Sequence, residues 1–322
     1  MTKTLVTGAT GTIGNAVAHQ LIAKGRAVRC LVRSPEAART VVPKGVELVR
    51  GDVTDPASIE AAMQGIEAVF HAAGMPEQWA RDTRIFDRIN AGGTGNMVEV
   101  ALKAGVSSFV YTSTQDMFDQ TRDPFDETML SLKPLKSHYE RSKQKAERLV
   151  EAGLDKGLPV KFIHPVATYG PVPGAVTGLN TLLKDLAAGD VPILLPGGFP
   201  VVLNEDVASL QLLAEESAEA GARFIASESY QSLKDIAEAV AALVPDAKVP
   251  GMMPGWTASL IATTGEMISG LTRKAPLITR GELGVLQRTG RPSAEKAKRE
   301  LGWSPTAFSE GLKCTLLDIQ DK

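Results

Sequence analysis

A tyrosine and a lysine in the middle of the chain have the types and spacing of a proton-transfer pair. Tyr139 and Lys143 are four residues apart in a segment whose pattern predicts a helix over Tyr139–Ala152, so both side chains project from one helix face. A free tyrosine has a pKa of about 10 and is a poor base at neutral pH. A nearby ammonium group favours the phenolate and lowers that pKa, which predicts that Tyr139 transfers a proton while Lys143 assists it.

A glycine-rich turn near the N-terminus predicts a site for phosphate groups. The segment TGATGTIG places Gly8, Gly11 and Gly14 between a β-rich run and an apolar-periodic helix. Glycine lets the backbone turn sharply and approach a pyrophosphate, and a helix N-terminus presents free N–H groups and partial positive charge. The spacing GxxGxxG departs from the commoner GxGxxG. The strand before the turn and the helix after it are what favour dinucleotide binding.

The end of the second predicted strand indicates which dinucleotide binds. NAD sites place an acid on the ribose hydroxyls about 20 residues past the turn, whereas NADP sites place a cation near the 2′-phosphate. Here the segment VRCLVRS ends in Arg33 and Ser34, and a guanidinium can bind a phosphate through two hydrogen bonds. The sequence therefore favours NADP, with NAD as the alternative. Asp52, just past the third predicted strand, could accept a hydrogen bond from the adenine amino group.

Alternating strand and helix patterns predict the α/β fold that would position these groups. The predicted strands are short and apolar on both faces, as in a sheet covered by helices on both sides. They are Thr4–Thr7, Ala27–Val32, Val46–Val49, Ala68–His71, Ser108–Thr112 and Val160–His164. The predicted helices between them are Asn15–Lys24, Pro56–Met63, Gly93–Ala104 and Tyr139–Ala152. This order predicts a doubly wound parallel sheet.

Beyond Gly170 the pattern changes. Clusters of glycine and proline at 170–174 and 194–200 predict loops, whereas Arg223–Ala226 predicts a further strand and Leu233–Leu243 a helix. Helical spacing within 250–289 favours a packed helix of a smaller domain. We therefore expect a dinucleotide-binding domain over 1–170, with return segments at about 200–245, and a substrate-binding domain over 171–199 and 246–322.

Composition and charge exclude several classes of function. The chain has 322 residues, 43% of them hydrophobic and 22% charged, and a net charge of −2, which predicts neither nucleic acid nor an anionic membrane as a partner. Cys30 and Cys314 have no CxxC spacing and no paired histidines, so neither a disulfide framework nor a metal site is expected. The N-terminus lacks a signal-peptide pattern, and no uncharged apolar run approaches the roughly 18 residues of a membrane span, which predicts a cytoplasmic protein.

A set of motifs in fixed order gives the chain a family resemblance. The motifs are TGATGTIG at 7–14, GDVTD at 51–55, HAAG at 71–74, NAGGTGNMVEVA at 90–101, YTST at 111–114, YERSK at 139–143 and KAKRELGWSP at 296–305. Together they resemble the extended short-chain dehydrogenases/reductases, and within that family the dihydroflavonol reductase and 3β-hydroxysteroid dehydrogenase branch. The resemblance implies a Rossmann sheet with a smaller C-terminal substrate-binding domain. It also implies a hydride transfer between nicotinamide, which Arg33 indicates to be NADP(H), and a carbonyl or alcohol carbon. A small apolar or aromatic substrate is favoured by the apolar character of the pocket candidates Met75, Trp79, Phe118 and Tyr169.

The resemblance also implies roles for individual residues. Thr114, with Ser113 as the alternative, would hold the substrate oxygen while Tyr139 transfers the proton and Lys143 also holds the cofactor ribose. The implied cofactor-binding residues are Gly8, Thr10, Gly11, Thr12, Ile13, Gly14, Arg33, Asp52, Val53, Ala72, Ala73, Gly74, Thr112, Tyr139, Lys143, Pro165, Val166 and Thr168. The candidates for substrate contact are Met75, Trp79, Thr114, Phe118 and Tyr169.

Two departures from the family pattern bear on the reaction. Sugar-nucleotide dehydratases of the family carry an acid and a base directly after the catalytic threonine, where this chain has Gln115 and Asp116. An amide cannot protonate a leaving hydroxyl, which disfavours dehydration. The family's usual Arg-Pro before its YGP motif is His164-Pro165 here, and we expect His164 to be structural.

Two other functions and one assembly stay open. An epimerase with tightly bound NAD is the first alternative, and its nucleotide diphosphate could use some of the cations Lys248, Arg273, Lys274, Arg280, Arg288 and Arg291. A non-catalytic NADP-binding sensor is the second. A homodimer would use the helices Gly93–Ala104 and Tyr139–Ala152, with a monomer as the alternative.

Overall fold

The computed structural model describes residues 3–77, 79–173, 178–258, 261, 264, 283–284, 286–288 and 290–320. Its strands are β1 (Lys3–Thr7), β2 (Ala27–Val32), β3 (Glu47–Arg50), β4 (Ala68–His71), β5 (Ser108–Thr112), β6 (Val160–Pro165), β7 (Ala167–Tyr169), β8 (Ile193–Leu194), β9 (Gly198–Leu203), β10 (Arg223–Ala226), β11 (Ser229–Ser232) and β12 (Gly251–Met252). Its helices are α1 (Thr12–Ala23), α2 (Pro35–Ala38), α3 (Pro56–Met63), α4 (Arg84–Phe86), α5 (Thr94–Ala104), α6 (His138–Asp155), α7 (Leu179–Ala188), α8 (Asn204–Ser217), α9 (Leu233–Leu243), α10 (Glu295–Leu301) and α11 (Phe308–Gln320). A π-helical stretch, Asp87–Gly93, joins α4 to α5, and a 3₁₀ turn spans Gln115–Met117.

Seven strands form one parallel sheet in the order β10-β6-β5-β4-β1-β2-β3. The register places Thr7, the last residue of β1, opposite Leu31 on one side and His71 on the other. The strand order reverses at β1, because the chain runs outward to β3 and then returns to β4 on the opposite side. In open α/β sheets ligands bind at this switch point, outside the carboxyl ends of the strands. The predicted doubly wound parallel sheet is confirmed.

Helices cover both faces of this sheet and supply its two cores. On one face, Val17 of α1 and Val207 of α8 belong to a buried cluster that extends to Ala297 of α10. On the other face, Ile59 of α3 and Met97 of α5 belong to a second buried cluster, which also takes in α6. This apolar burial on both faces explains why the strands show no polar alternation.

A second, smaller sheet lies beyond Gly170, in the order β11-β9-β7. The loop predicted over 194–200 is wrong at residue 194, which ends β8, and from residue 198, where β9 begins. Gly198 allows a close approach of strands, since a Cβ atom there would lie 2.2 Å from the Gln231 carbonyl oxygen of β11. Helices α7, α9 and α11 pack with β9 in a third core. The division of the chain into two domains stays a prediction.

Within the described ranges, no helix combines the length and the apolar composition that crossing a membrane would require.

Candidate active site

The turn between β1 and α1 has the shape of a phosphate cradle. Gly8 has a φ of +73°, and a Cβ atom there would lie 2.7 Å from the Ala72 carbonyl carbon. At Gly14 a Cβ atom would lie 2.3 Å from the Gly8 carbonyl oxygen. Gly11 caps α1 without a side chain, so the first-turn N–H groups are left for an anionic ligand. These features fit the pyrophosphate of a dinucleotide.

A buried histidine fixes the strands on either side of this turn. The His71 ring nitrogens lie 2.7 Å from the Thr7 hydroxyl oxygen and 3.0 Å from the Thr94 hydroxyl oxygen, which joins β1, β4 and α5. The Ala73 N–H also donates to the Thr7 hydroxyl, at 3.2 Å. Burial, reinforced by the Lys143 charge, lowers the pKa of His71 to about 3. His71 is therefore neutral near pH 7 and acts as a hydrogen-bonded support.

The residues predicted for the nucleotide end lie near one another. Arg33 directly follows β2 and is exposed, and Asp52 follows β3 with one carboxylate oxygen accepting from the Thr54 N–H and hydroxyl at 2.8 Å each. Burial raises the pKa of Asp52, but these hydrogen bonds and the charges of Arg33 and Arg88 lower it by more. Asp52 thus remains an ionised acceptor beside a solvent-accessible cation.

The other residues predicted to bind the cofactor lie at or beyond the carboxyl ends of β1, β3, β4, β5 and β6. Val53 packs against Gly93, where a Cβ atom would lie 2.6 Å from a Val53 methyl carbon. The Thr112 hydroxyl accepts from the Gln211 amide of α8, at 3.1 Å, so it is already partnered. The remaining members are at the turn itself (Thr10, Thr12, Ile13), after β4 (Ala72, Ala73, Gly74) and at β6–β7 (Pro165, Val166, Thr168).

The predicted catalytic pair begins α6. The helix start is fixed by a capping box, in which the Ser137 hydroxyl accepts from the Glu140 N–H at 3.0 Å and a Glu140 carboxylate oxygen accepts from the Ser137 N–H at 2.7 Å. Tyr139, between them, is half-buried. Lys143 is buried one turn later and donates to the Thr112 carbonyl at 2.8 Å. The structure thus joins α6 to the end of β5, where Thr114 follows.

The electrostatics of Tyr139 differ from the sequence-based expectation. Burial and the charge of Asp116 raise its pKa well above the usual value, although a hydrogen bond with the Thr114 hydroxyl lowers it. The Lys143 ammonium is bound to the Thr112 carbonyl, and burial lowers the Lys143 pKa to about 8 even though Glu147 raises it. Tyr139 is therefore held as a phenol near pH 7, the form that donates a proton.

Two carboxylates and an arginine lie next to Thr114 and Tyr139, the residues predicted to be catalytic. The Thr114 hydroxyl donates to Asp116 at 3.0 Å, and Arg288, from the C-terminal half, forms ion pairs with both Asp116 and Glu140. The sequence indicated Arg288 only as one cation among six. Its partners are distant along the chain, so no local pattern could have identified this role.

A second charged cluster lies buried beneath Lys143. Glu147, a further turn along α6, accepts from the Ser113 hydroxyl, lies 3.2 Å from His164 Nε2 and forms an ion pair with Arg223 of β10. Burial raises the pKa of Glu147, but His164, Arg223 and Ser113 outweigh it and lower the pKa to about 2. Sequence reasoning missed Glu147, although its four-residue spacing from Lys143 was a visible signal.

The π-helical stretch positions the loop after β4. Asn90, buried within it, accepts from the Met75 N–H at 2.7 Å and donates to the Met75 carbonyl at 3.2 Å. The same amide donates to the Ser142 hydroxyl at 2.9 Å, and Ser142 donates to the Tyr139 carbonyl at 2.6 Å. Asn90 thereby connects this loop to the catalytic helix. Its motif was recognised in the sequence, but this role was not.

The predicted substrate-contact residues separate into two groups. Met75 is half-buried and Trp79 is 37% exposed on the loop after β4. Phe118 is buried with its ring 4.7 Å from that of His164, and Tyr169 is buried against Phe308, with ring centroids 5.4 Å apart. The structure therefore places Phe118 and Tyr169 in packed cores and leaves the first two accessible.

A cleft of about 560 Å³ lies beside Arg288. It is lined by Asp123, Pro196, Gly197, Tyr230, Gly255, Leu286, Gln287, Arg288 and Arg291. Arg288 also pairs with the carboxylates next to Thr114 and Tyr139, but the residues predicted to be catalytic are not among those that line the cleft. Its mixed lining offers apolar contacts together with a few polar groups, as small-molecule sites do.

Comparisons with known proteins identify the family and agree with the fold. The NAD dependent epimerase/dehydratase family matches residues 4–224. Sterol demethylase protein B of Methylococcus capsulatus is 26% identical over 308 residues, covering 94% of this chain and 94% of the relative. Cinnamoyl-CoA reductase 1 of Petunia hybrida is 30% identical over 268 residues, covering 76% and 78%. The solved structure of gox2253 aligns with a TM-score of 0.85 at 28% identity, covering 100% of this chain and 98% of that one.

Proposed function

The chain belongs to the NAD dependent epimerase/dehydratase family and is an oxidoreductase of the extended short-chain dehydrogenase/reductase type, and we propose that it uses NADP(H) to reduce the carbonyl carbon of a small apolar or aromatic substrate, or to oxidise the corresponding alcohol. One observation carries the proposal: a half-buried phenol lies one helical turn from a buried lysine, and that lysine donates to the Thr112 carbonyl at the ligand-binding edge of the sheet.

In the proposed mechanism the chain's own residues hold the substrate oxygen and move one proton. The Tyr139 hydroxyl binds the carbonyl oxygen and donates its proton to that oxygen as the carbon is reduced. Thr114 binds the same oxygen by turning its one hydroxyl proton from Asp116 to the substrate. A bound nicotinamide would supply the hydride. Lys143, held by the Thr112 carbonyl, is placed to bind the cofactor ribose and to stabilise the phenolate that remains.

The protonation state of Tyr139 favours the reductive direction. Burial and Asp116 keep the phenol protonated near pH 7, so the proton donor is ready when a carbonyl substrate binds. Alcohol oxidation needs the phenolate first, and therefore requires higher pH or additional positive charge. The relative named for reducing cinnamoyl-CoA supports both this direction and an aromatic substrate.

The epimerase alternative is less well supported. Of the cations predicted to serve a nucleotide diphosphate, Arg273, Lys274 and Arg280 lie outside the described residues. Arg288 is already paired with Asp116 and Glu140. Arg291 lies over the Tyr230 ring, with its guanidinium carbon 5.3 Å from the ring centroid. The sensor alternative does not account for an intact set of Thr114, Tyr139 and Lys143.

The test compares cofactor binding with turnover. Thermal shifts with NADP and with NAD report which dinucleotide stabilises the fold. NADPH oxidation is then followed at 340 nm with aromatic and aliphatic carbonyls, and UDP-sugars are assayed separately for epimerisation. We expect net NADPH oxidation with aromatic carbonyls. Stabilisation without turnover would support a sensor, and UDP-sugar conversion without net cofactor change would support an epimerase.

Arg33→Asp is expected to reverse the cofactor preference. Removing a guanidinium that can bind the 2′-phosphate, and adding a like charge there, should raise the Kd for NADP roughly 100-fold, because charge-assisted hydrogen bonds are among the strongest polar contacts. The Kd for NAD should change less than about threefold on the same reasoning. Isothermal titration with both dinucleotides measures the ratio. Arg299→Asp, an equal charge change on α10, is the control, and an equal loss for both dinucleotides would contradict the assignment.

Glu147→Gln is expected to shift the pH profile to lower pH. The Lys143 ammonium is lost as pH rises through about 8, and the Glu147 charge raises that pKa. Removing the charge lowers the Lys143 pKa, so the alkaline limb of carbonyl reduction should move down by about one pH unit. Glu151→Gln also removes an Arg223 ion pair without touching Ser113 or His164, and should leave the limb in place. If the alkaline limb of the Glu147→Gln profile matches that of wild type, the Glu147 charge does not raise the Lys143 pKa.

A further inference from the structure

We propose that Arg288 is a positioning residue for Tyr139: its guanidinium clasps Asp116 and Glu140, the two carboxylates that flank the catalytic hydroxyls, and so fixes their geometry and offsets their charge. The inference rests on the proposed function, because it takes Tyr139 as the proton-transferring group. We call Arg288, Asp116 and Glu140 the carboxylate clasp.

Each carboxylate of the clasp divides its two oxygens between Arg288 and a second partner, which is the Thr114 hydroxyl for Asp116 and the helix-capping Ser137 N–H for Glu140. Asp116 forms its ion pair with Arg288 through Oδ1, and its Oδ2 accepts from the Thr114 hydroxyl at 3.0 Å. Glu140 forms its ion pair with Arg288 through Oε1, and its Oε2 accepts from the Ser137 N–H at 2.7 Å. One guanidinium therefore connects the turn that carries Thr114 to the first turn of α6, which carries Tyr139. Planar arginine is suited to this two-sided pairing, whereas the lysine ammonium lacks the forked geometry.

The clasp is partly sheltered from water. The side chains of Glu140, Asp116 and Arg288 are 5%, 13% and 27% exposed. Ion pairs with this little exposure are screened much less than surface pairs, and removing one partner leaves the other as an uncompensated charge. Gln120 completes the arrangement, since its amide oxygen accepts from Arg288 and its amide nitrogen donates to Asp116, both at 3.3 Å.

The backbone that carries Arg288 is anchored independently of the ion pairs. The Phe125 N–H donates to the Arg291 carbonyl at 3.0 Å, and the Ser293 N–H donates to the Phe125 carbonyl at 2.8 Å. A Cβ atom at Gly290 would lie 2.3 Å from the Gln120 carbonyl oxygen, so glycine permits the close approach. Segment 290–293 is thus docked on segment 120–125, and this docking places Arg288 beside the 3₁₀ turn that contains Asp116.

The charges that face Tyr139 come from several elements. Asp116 of the 3₁₀ turn, Glu140 of α6 and Glu77 of the loop after β4 each raise its pKa. A hydrogen bond with Thr114 lowers it, and Lys143 is held by the Thr112 carbonyl. Arg288 is the cation paired with two of the three carboxylates. Replacing it with a neutral side chain would leave Tyr139 beside two unpaired negative charges.

The test measures the phenolate of Tyr139 directly as well as turnover. Tetranitromethane nitrates phenolates, and tryptic cleavage yields the peptide 137–141, in which Tyr139 is the single tyrosine. For Arg288→Gln we expect nitration at a fixed pH to fall about tenfold, which corresponds to a pKa raised by about one unit. The pH dependence of alcohol oxidation with NADP should move to higher pH by the same amount. Asp116→Asn should shift both readouts in the opposite direction.

Matched variants separate positioning from loss of fold. Arg288→Lys keeps the charge and should recover most of the nitration rate while kcat stays low, because the fork is lost. Arg288→Gln combined with Asp116→Asn should return both readouts toward wild type. Arg299→Gln, which removes an exposed cation on α10, should leave the profile in place. Unshifted nitration and pH profile in Arg288→Gln, or no recovery in the double variant, would overturn the proposal. If the nitration rates of the variants relative to wild type follow these expectations but the wild-type protein never turns over a substrate, the result would count against the proposed function alone.

Discussion

Tyr139→Phe is expected to lower kcat for carbonyl reduction by about 1,000-fold, since positioned proton transfer contributes roughly 10²–10⁴ to such rates. Phenylalanine keeps the ring and removes the hydroxyl that would donate to the substrate oxygen. The glycine-rich turn and the capping box that starts α6 involve other groups, so the Kd for NADPH and the melting temperature should stay near wild type. NADPH oxidation at saturating substrate, cofactor titration and thermal unfolding measure the three quantities.

The control for altering α6 is Lys145→Ala. Lys145 lies on the same helix as Tyr139, and the substitution removes its exposed ion pair with Asp87. We expect wild-type kcat in that variant. If Tyr139→Phe keeps more than about a tenth of the wild-type rate, another group supplies the proton, because loss of a general acid cannot cost so little. If it loses NADPH binding in parallel, the phenol supports the cofactor instead of the substrate.

The pairing of Tyr139 with Lys143 could be predicted because helical periodicity alone places them together. The same rule applies again at Glu147, and that signal was in the sequence. The direction of the Tyr139 pKa shift could not be predicted in this way. It depends on burial and on Asp116, which approaches only after β5 and α6 have packed against each other.

The parallel sheet was predictable for a different reason. Its strands are short apolar runs separated by helical patterns, so each strand is defined by local sequence. The small sheet was harder to predict, because β9 begins in a Gly-Pro-rich run and Gly198 serves strand contact with β11. The role of Arg288 was the hardest to predict. Its sequence separation from Asp116 is 172 residues, and only the docking of segment 290–293 brings the two together.

Burial also separates the substrate candidates in a way the sequence could not. Phe118 and Tyr169 adjoin motifs that face the cofactor, and adjacency along the chain suggested contact with the substrate. Their side chains point into cores formed with Phe125 and Phe308. Aromatic residues next to a site supply packing as often as contact, and only coordinates distinguish the two.

Gly14→Ala is expected to weaken dinucleotide binding by more than about 100-fold and to destabilise the fold by about 1–3 kcal/mol, the usual cost of overpacking. A Cβ atom at this position would lie 2.3 Å from the Gly8 carbonyl oxygen and 2.6 Å from the Gly8 carbonyl carbon. Both contacts are with backbone, so relief requires moving the turn and the first residues of α1. Thermal unfolding without ligand and titration with NADP measure the two effects.

Gly11→Ala separates the two roles of the glycines. Its Cβ atom would lie 3.4 Å from the Gly8 carbonyl oxygen, and its φ of −98° suits any residue, so the ligand-free protein should melt near wild type. Binding should still weaken, because the methyl group occupies the side of the turn that the pyrophosphate approaches. A loss of stability confined to Gly14→Ala, with loss of binding in both variants, would assign Gly14 to helix–turn packing and Gly11 to ligand approach. Full NADP affinity in both variants would show that the phosphates do not bind at this turn. The nicotinamide would then no longer be expected beside Tyr139.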